Sequence, residues 1–328
     1  MKKFMKGCAI TALILFVIGF VLATVASTVR GRTTIEDVVE SVTGGRVNIH
    51  LNPFDWGIRV DDMDVLDWVD DIDIFDDVDF DVEDNMSFDR NHTILKGNVD
   101  RYSLGSNIRE LDFEIGACSF TTQPSPDDNF YLEAAYAGKI QGYVEDGTLY
   151  IRSTASSVKR WDDLNGCRII LYVPENAYFE EADIEVGAGR LEFDRLQAGE
   201  VSLEVGAGQI SLDNLQAASL EVSVGLGQIA LEDMTVGELS TEVGMGEFVA
   251  AGALNGDGDV ECAMGNVSLT LEGNQKDFNY GLSKAMGNVT LGGSSSSGFA
   301  SDQYLDNNAF KTIDIECAVG NVTVQFTK

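Results

Sequence analysis

The pentapeptides Glu185-Val-Gly-Ala-Gly189, Glu204-Val-Gly-Ala-Gly208, Ser223-Val-Gly-Leu-Gly227, Glu242-Val-Gly-Met-Gly246 and Glu261-Cys-Ala-Met-Gly265 repeat one motif, and each closing glycine follows the previous one by 19 residues. Looser copies occur at residues 114–118, 283–287 and 316–320. A fixed period of this length is typical of stacked-repeat proteins, in which one unit buries its apolar side only against the next unit.

Apolar and polar residues alternate on both sides of the glycines. Val201, Leu203 and Val205 are separated by single polar residues, and Ile210 and Leu212 follow the corner in the same way. A period of two indicates strands. The glycines indicate a tight corner, where a side chain would clash or φ would be positive. The sequence therefore predicts an all-β fold, a parallel β-solenoid (β-helix) with coils of about 19 residues.

Residues 19 apart should lie above one another and form inward columns. Cys262, and Cys317 in the last copy, stand where valine stands in other copies, and we interpret both as buried small apolar residues. Lys284 takes the same place in a looser copy, which predicts a register shift or a partial coil there. The predicted columns are Leu203, Val222, Thr241 and Val260; Val205, Val224, Val243 and Cys262; and Leu191, Ile210, Ile229, Phe248 and Val267.

An outward column of carboxylates precedes the corners. Its central members are Glu185, Glu204, Glu242 and Glu261, with Ser223 between the pairs. Charges stacked ~4.8 Å apart in water repel by roughly 0.9 kcal/mol. One interpretation is a cation-binding ladder, for which calcium is the candidate ion. The other is a solvated face whose serines interrupt the repulsion. No other cofactor is predicted, and no catalytic residues.

A second outward column follows the corners and consists mostly of amides. Stacked amide side chains form hydrogen-bonded ladders in parallel β-structures, so this column predicts a structural ladder. Its members are Arg190, Gln209, Gln228, Glu247, Asn266, Asn288 and Asn321.

The N-terminal residues predict a membrane anchor. Residues 1–6 carry three lysines and form the predicted cytoplasmic tail, and residues 7–29 are an uncharged apolar run long enough to span a bilayer. We expect a retained transmembrane signal anchor with the N-terminus inside; cleavage after Ala26 is the alternative. The protein is then a single-pass protein of the cell membrane, and the bulk of the chain is extracytoplasmic.

Three further segments follow the anchor. Residues 30–60 form the predicted juxtamembrane segment, and residues 61–92 form an acidic linker with thirteen acids between positions 61 and 84. The linker is either a hydrated spacer or a collector of calcium. Residues 93–328 form the predicted solenoid domain. Its strand-rich excursion at 123–181 interrupts the repeat and is expected to cap the first end of the stack.

Composition excludes several classes of function. The net charge of −32 argues against nucleic acid or anionic lipid as a partner. The sequence has two histidines and presents no Ser/His/Asp or Cys/His constellation, so it does not indicate an enzyme.

Three local sequences carry a resemblance to a known family. They are Leu111-Asp-Phe-Glu-Ile-Gly-Ala-Cys-Ser-Phe-Thr-Thr122, Asp146-Gly-Thr-Leu-Tyr-Ile151 and Ile169-Ile-Leu-Tyr-Val-Pro174, followed by the Gly-x-Gly coils. This order resembles the bacterial putative-adhesin family of unknown function, whose members carry a β-solenoid domain, often behind a membrane anchor. The resemblance covers about residues 93–328 and implies the fold. It supplies no catalytic or ligand residues, and only by analogy with some relatives does it imply a role in envelope stress.

Three classes of function remain open. The first is a non-catalytic, membrane-anchored module for surface adhesion, envelope interaction or stress sensing, with an envelope protein or a glycan as partner. The second is a polysaccharide-active enzyme, because two carboxylates about 5 to 9 Å apart can cleave a glycosidic bond. The third is a self-assembling surface scaffold.

Overall fold

The computed structural model describes residues 47–52, 55–60, 92, 95–154, 168–292, 294–296 and 301–327. The chain divides into two units, residues 1–80 and 81–328, and each is described by itself. The predicted anchor at 7–29 and the acidic linker as far as residue 91 lie outside the described residues. Within the described ranges, no helix is long and apolar enough to cross a membrane.

The described residues are almost entirely β-strand. In the first unit, β1 (Val47–Asn52) and β2 (Asp55–Val60) form an antiparallel hairpin that is not predicted from the sequence. The described residues of the second unit include one turn of 3-10 helix, Gln275–Asp277. Its strands are β3 (Leu95–Gly105), β4 (Glu110–Ile115), β5 (Ser119–Pro124), β6 (Phe130–Glu145), β7 (Thr148–Thr154), β8 (Arg168–Val173), β9 (Phe179–Val186), β10 (Arg190–Phe193), β11 (Leu196–Val205), β12 (Gln209–Val224), β13 (Gln228–Val243), β14 (Glu247–Leu254), β15 (Gly258–Cys262), β16 (Asn266–Glu272), β17 (Phe278–Lys284), β18 (Asn288–Leu291), β19 (Ser294–Ser296), β20 (Ser301–Leu305), β21 (Lys311–Cys317) and β22 (Asn321–Thr327).

The repeat strands stack in parallel with the register that the period predicts. In β11 and β12, Val205 lies beside Val224, and in β12 and β13, Val224 lies beside Val243. The pairing continues from Val243 to Cys262 in β15. The all-β class is confirmed, and so is the parallel stacking of 19-residue coils in a solenoid-like arrangement.

Each coil has three short runs whose apolar side chains point into one core. In the coil that β12 completes, the inward residues of the three runs include Ile210, Leu215 and Val222, all at most 1% exposed. The three predicted inward columns are confirmed, since every member is buried. Thr241 is the polar member, and its hydroxyl has no hydrogen-bond partner.

The second glycine of each corner is required by close approach of the backbone. A Cβ on Gly246 would lie in hard contact with the carbonyl oxygen of Gly227 and 2.6 Å from Cγ1 of Val224. The first glycine, Gly244, is less confined, because its Cβ would be 3.1 Å from the nearest atom. Neither residue has a positive φ. The sequence allows two reasons for glycine at these corners, a steric clash or a positive φ. The steric clash is the correct one.

The last two coils stack in the reverse of their chain order. β15 pairs with β21, and β21 in turn pairs with β17, so the C-terminal coil lies between its two predecessors. Lys284 pairs in register with Cys317 and is 7% exposed. The predicted register shift at Lys284 is therefore wrong. The residue stacked directly on Cys262 is Cys317, and Lys284 is stacked on Cys317.

Antiparallel strands cover both ends of the stack. At the first end, β4 and β5 pair with β9 and β10 on one side and with β7 and β8 on the other. β6 runs antiparallel to both β7 and β8, and it joins β7 through Asp146 and Gly147, both at positive φ. At the other end, β20 and β19 run antiparallel to β17 and β18.

Candidate functional site

The outward side of the run that precedes each Gly-x-Gly corner is a surface rich in carboxylates, which we call the acidic face. It consists of three columns, because outward residues alternate along each strand. One column is Glu110, Glu181, Glu200, Ser219 and Glu238. The next is Asp112, Asp183, Ser202, Glu221, Ser240, Asp259 and Asp314. The third is Glu114, Glu185, Glu204, Ser223, Glu242, Glu261, Glu316 and Ser283.

The predicted cation ladder is the third of these columns. Glu185 lies beside Glu204, and Glu242 lies beside Glu261, with Ser223 between the two pairs. The four residues therefore form two separate pairs. Because the last coils are reversed, Glu316 rather than Ser283 follows Glu261. The other two columns were missed from the sequence, although several of their members are also 19 residues apart.

One arginine neutralises the acidic face at its first end. Arg152 in β7 lies beside Glu114, with its Nε 3.1 Å from a Glu114 carboxylate oxygen. Its Nη1 donates to the Asp112 carboxylate at 2.8 Å. The side chain of Arg152 is 12% exposed, so this pair is better shielded than a surface ion pair. It anchors the cap to the first coil of the repeat.

A shallow groove of about 550 Å³ runs across the acidic face, lined by carboxylates from successive coils. Repulsion from Asp183 raises the pKa of Glu181, and desolvation raises the pKa of Asp183 with help from Asp112. Desolvation, followed by repulsion from Glu185, likewise raises the pKa of Glu204. The carboxylates thus repel one another across columns as well as along them, and the face concentrates negative charge.

The spacing of the carboxylates on the acidic face does not form a site that encloses a single calcium ion among the described residues. Among the described residues, no group of three or more His, Cys, Asp or Glu side chains is arranged to hold one metal ion. A calcium ion takes six to eight oxygen ligands, and a single column of carboxylates supplies only neighbouring pairs. Binding of diffuse cations along the face stays a prediction.

The predicted amide ladder is present on the other side of the corners. Gln209 donates to Gln228 at 3.2 Å, and Gln228 donates to Glu247 at 2.9 Å. At the reversed end, Asn288 donates to Asn321 and Asn321 donates to Asn266, at 3.1 and 3.0 Å. This column is confirmed as a structural ladder, and the last two bonds follow the reversed coil order.

The cysteines in the described part of the chain are of two kinds. Cys262 and Cys317 are free, stacked in one inward column and each 1% exposed, which confirms their interpretation as buried small residues. The two thiols form a hydrogen bond with each other. This bond holds the pKa of Cys317 below its ordinary value, and the same bond, together with burial, raises the pKa of Cys262. Cys118 is disulfide-bonded, which no feature of the sequence indicates.

These features define a class: an all-β protein of parallel stacked coils, closed by antiparallel strands and carrying an acidic outer face. The chain belongs to the family described as Toastrack DUF4097, whose model matches residues 109–325. The family assignment confirms the resemblance drawn from the three local sequences.

Several solved structures are similar to this chain, while no curated protein matches it. A putative adhesin from Bacteroides fragilis is 12% identical, with a TM-score of 0.37 over 71% of this chain and 97% of its own. A putative lipid binding protein from Parabacteroides distasonis is 17% identical, with a TM-score of 0.38 over 71% and 99%. A putative cell adhesion protein from Clostridium sporogenes is 13% identical, with a TM-score of 0.27 over 72% and 100%.

Proposed function

We propose that this protein is a non-catalytic, membrane-anchored module that presents its acidic face to a partner in the cell envelope. The observation that carries this proposal is the continuity of that face, which crosses seven stacked strands from Glu114 to Glu316 without a basic residue in its own columns. Such an extended single-sign surface attracts a complementary partner and raises its association rate. An envelope protein or a glycan carrying cationic groups fits this chemistry.

Two observations support a position outside the cytoplasm. The apolar run at 7–29 follows a lysine cluster, as in a signal anchor whose N-terminus stays inside. The disulfide of Cys118 supports an oxidising compartment, because disulfides persist mainly in secreted and envelope proteins. We therefore propose that the coils lie on the outer side of the cell membrane.

The arrangement of the carboxylates favours binding over glycoside hydrolysis. A glycosidase needs two carboxyl groups with different roles, one of them protonated by its surroundings. Here the carboxylates repeat from coil to coil, and pKa values are raised at Glu181, Asp183 and Glu204 alike. No pair is set apart by this pattern.

The covered ends disfavour the scaffold alternative. Open β-edges would allow the stack to grow by pairing with a second chain. In this protein β6 covers one end and is itself paired with β3, and the short strands β19 and β20 cover the other end. Adhesion or stress sensing through the acidic face is the finer role that we propose.

The location is tested with Tyr304→Cys, a change at a residue that is 65% exposed. In intact cells, a membrane-impermeant maleimide should label the variant to the same extent as in lysed cells. The parent chain controls for its native cysteines. Labelling only after lysis would refute the extracytoplasmic position.

Binding is tested with two variants that each remove three exposed carboxylates. The face variant is Glu200→Gln, Glu221→Gln and Glu238→Gln, and the control variant is Glu145→Gln, Glu175→Gln and Asp306→Asn. Full-length tagged chains are used to capture partners from the native envelope. We expect the parent and the control variant to retain the same partner and the face variant to lose it. If both variants capture the partner equally well, the acidic face does not bind it. Release of reducing sugar from the envelope would favour an enzyme.

A further inference from the structure

A row of large apolar side chains stands exposed along the corners of the later coils. Each occupies the middle position of the Gly-x-Gly corner or of its Ala-x-Gly equivalent. We call this row the corner ridge, and its members are Leu226 (48% exposed), Met245 (37%), Met264 (38%), Val319 (43%) and Met286 (46%).

The ridge is continuous in space although its last two members are out of chain order. The amide of Met264 donates to the Gly244 carbonyl, the amide of Val319 donates to Ala263, and the amide of Met286 donates to Ala318, all at 2.7 to 2.8 Å. Each corner thus lies directly on the one before it. Five corners spaced by the ~4.8 Å separation of strands give an apolar row about 19 Å long.

The fold does not require large side chains at this position. The same corner position holds Ala188 and Ala207 in the first coils, with the same pattern of hydrogen bonds. The core is filled by the residues on either side of the corner, such as Val243 and Phe248, which are 2% and 0% exposed. The ridge therefore adds exposed apolar area that the stacking of the coils does not require.

Charge flanks the ridge on one side. Glu242, Glu261 and Glu316 each lie three residues before a ridge residue, in the column of the acidic face nearest the corners. The amide ladder lies on the other side and carries little charge. The ridge is thus an apolar strip with a row of carboxylates along one edge.

We propose that the corner ridge binds a basic amphipathic helix of a partner protein. The apolar side of such a helix would cover the ridge, and its lysines or arginines would meet the flanking glutamates. A helix of about 13 residues matches the ~19 Å length of the ridge. Methionine suits such a surface because its flexible side chain adapts to different apolar partners.

Charge complementarity selects this occupant over the others. A second copy would bring two chains of net charge −32 together along their acidic edges. An anionic lipid surface is repelled for the same reason. The inference rests on the proposed function only in taking the protein to be a binding module.

The test uses the full-length chain in phosphatidylcholine nanodiscs, with empty nanodiscs as the blank. The probe is a fluorescent peptide of about 18 residues, built from leucine and lysine with the leucines on one helical face, and about 27 Å long as a helix. A permuted peptide of the same composition and a peptide with glutamate in place of lysine are the controls. Binding is followed by fluorescence anisotropy at low and high salt.

The ridge variant is Leu226→Ala, Met245→Ala and Met264→Ala, which copies the alanines of the first coils. We expect it to raise the Kd of the probe at least tenfold, about 1.4 kcal/mol, at an unchanged thermal midpoint. Glu242→Gln with Glu316→Gln should raise the Kd severalfold and reduce its salt dependence. Tyr304→Ala, at an exposed aromatic residue outside the ridge, should change neither.

The possible outcomes separate clearly. The inference is wrong if the parent binds the probe no better than the blank, or if the ridge variant binds it as tightly as the parent. If the parent protein forms a dimer and the ridge variant is a monomer, the ridge binds a second copy of this chain. The proposal of a helical partner is then wrong. If the parent does not bind the peptide probe, but the parent and the ridge variant capture the same envelope partner, the inference about the ridge is wrong and the proposed function is retained. If the parent also captures no envelope partner, both the inference about the ridge and the proposed function are wrong.

Discussion

Alanine at the second glycine of a corner should destabilise the stack far more than alanine at the first. We consider Gly246→Ala with Gly244→Ala as its matched control in the same corner. The new Cβ at Gly246 would lie 2.6 Å from Cγ1 of Val224 and in hard contact with the Gly227 carbonyl oxygen. An ordinary carbon–carbon contact is about 3.5 to 4.0 Å, so the Val224 methyl or the backbone must recede by about 1 Å.

The magnitude follows from what that displacement disturbs. Overpacking of this size costs about 1–3 kcal/mol. The Gly227 carbonyl also accepts a hydrogen bond from the Glu247 amide at 3.0 Å, and weakening that bond adds about 1 kcal/mol. We therefore expect Gly246→Ala to cost about 3 kcal/mol. For a folded region of this size, the thermal midpoint then falls by about 6–12 °C.

The control change should be nearly neutral. At Gly244 the new Cβ meets its nearest atom at 3.1 Å, and alanine already stands at this place in Ala263 and Ala318. Alanine also lowers the entropy of the unfolded chain, which offsets a small strain. Circular dichroism melts of the two variants and the parent supply the comparison. If Gly246→Ala melts within about 2 °C of Gly244→Ala, close approach of the coils is not what the second glycine provides.

Three further expectations follow from the column geometry. Thr241→Val should stabilise the protein by about 1 kcal/mol in urea unfolding, since it removes a buried hydroxyl that has no partner; a loss of stability would show that the hydroxyl is satisfied. The raised pKa values of Asp183 and Glu204 mean that the folded state holds protons more tightly than the unfolded state, so the stability that these two groups contribute should be greatest below their unfolded-state pKa values of 3.8 and 4.5 and should be lost as pH rises through their higher folded-state pKa values. A melting temperature that climbs steadily from pH 5 to pH 7 would contradict this sign. If diffuse cations bind the ladder, calcium should raise the midpoint of the parent but not of Glu204→Gln with Glu242→Gln, and no effect on the parent would end the cation hypothesis.

The repeating part of the fold was predictable because its period is written in the side chains. The alternation around Val205 determines which residues face inward, and the spacing of 19 determines which residues stack. The amide ladder and the burial of Cys262 and Cys317 follow from the same register. These predictions succeed because each depends only on the local repeat and on neighbours one coil away.

The order of the last coils could not be predicted, because the period is lost after Gly265. Either remaining copy could pair with β15 by its own alternation. Contacts outside the repeat tie β21 to the coil before it: the Thr312 amide donates to Asp257 at 2.8 Å, and the Lys311 ammonium donates to the Leu254 carbonyl at 2.8 Å. Such contacts become visible only when three-dimensional positions are known.

The candidate site was predictable only in part. The column of Glu204 and Glu242 was predictable because each of these residues opens a copy of the repeated corner motif. The two further acidic columns, which include Glu181 and Glu221, carry serine in several coils, so their charge emerges only when all columns are placed on one face. The corner ridge is hidden for a related reason, because the corner position changes from alanine to methionine along the chain.

The central claim is that the coils stack in parallel with the C-terminal coil placed between its two predecessors. Cysteine pairs at the exposed corners test it directly, since adjacent corners are about 4.8 Å apart and within disulfide range, whereas corners two coils apart are about 9.6 Å apart and beyond it. Under mild oxidation followed by mass spectrometry, Met264→Cys with Val319→Cys should form a disulfide, and Met264→Cys with Met286→Cys should not. Efficient cross-linking of residues 264 and 286 without cross-linking of 264 and 319 would contradict the account.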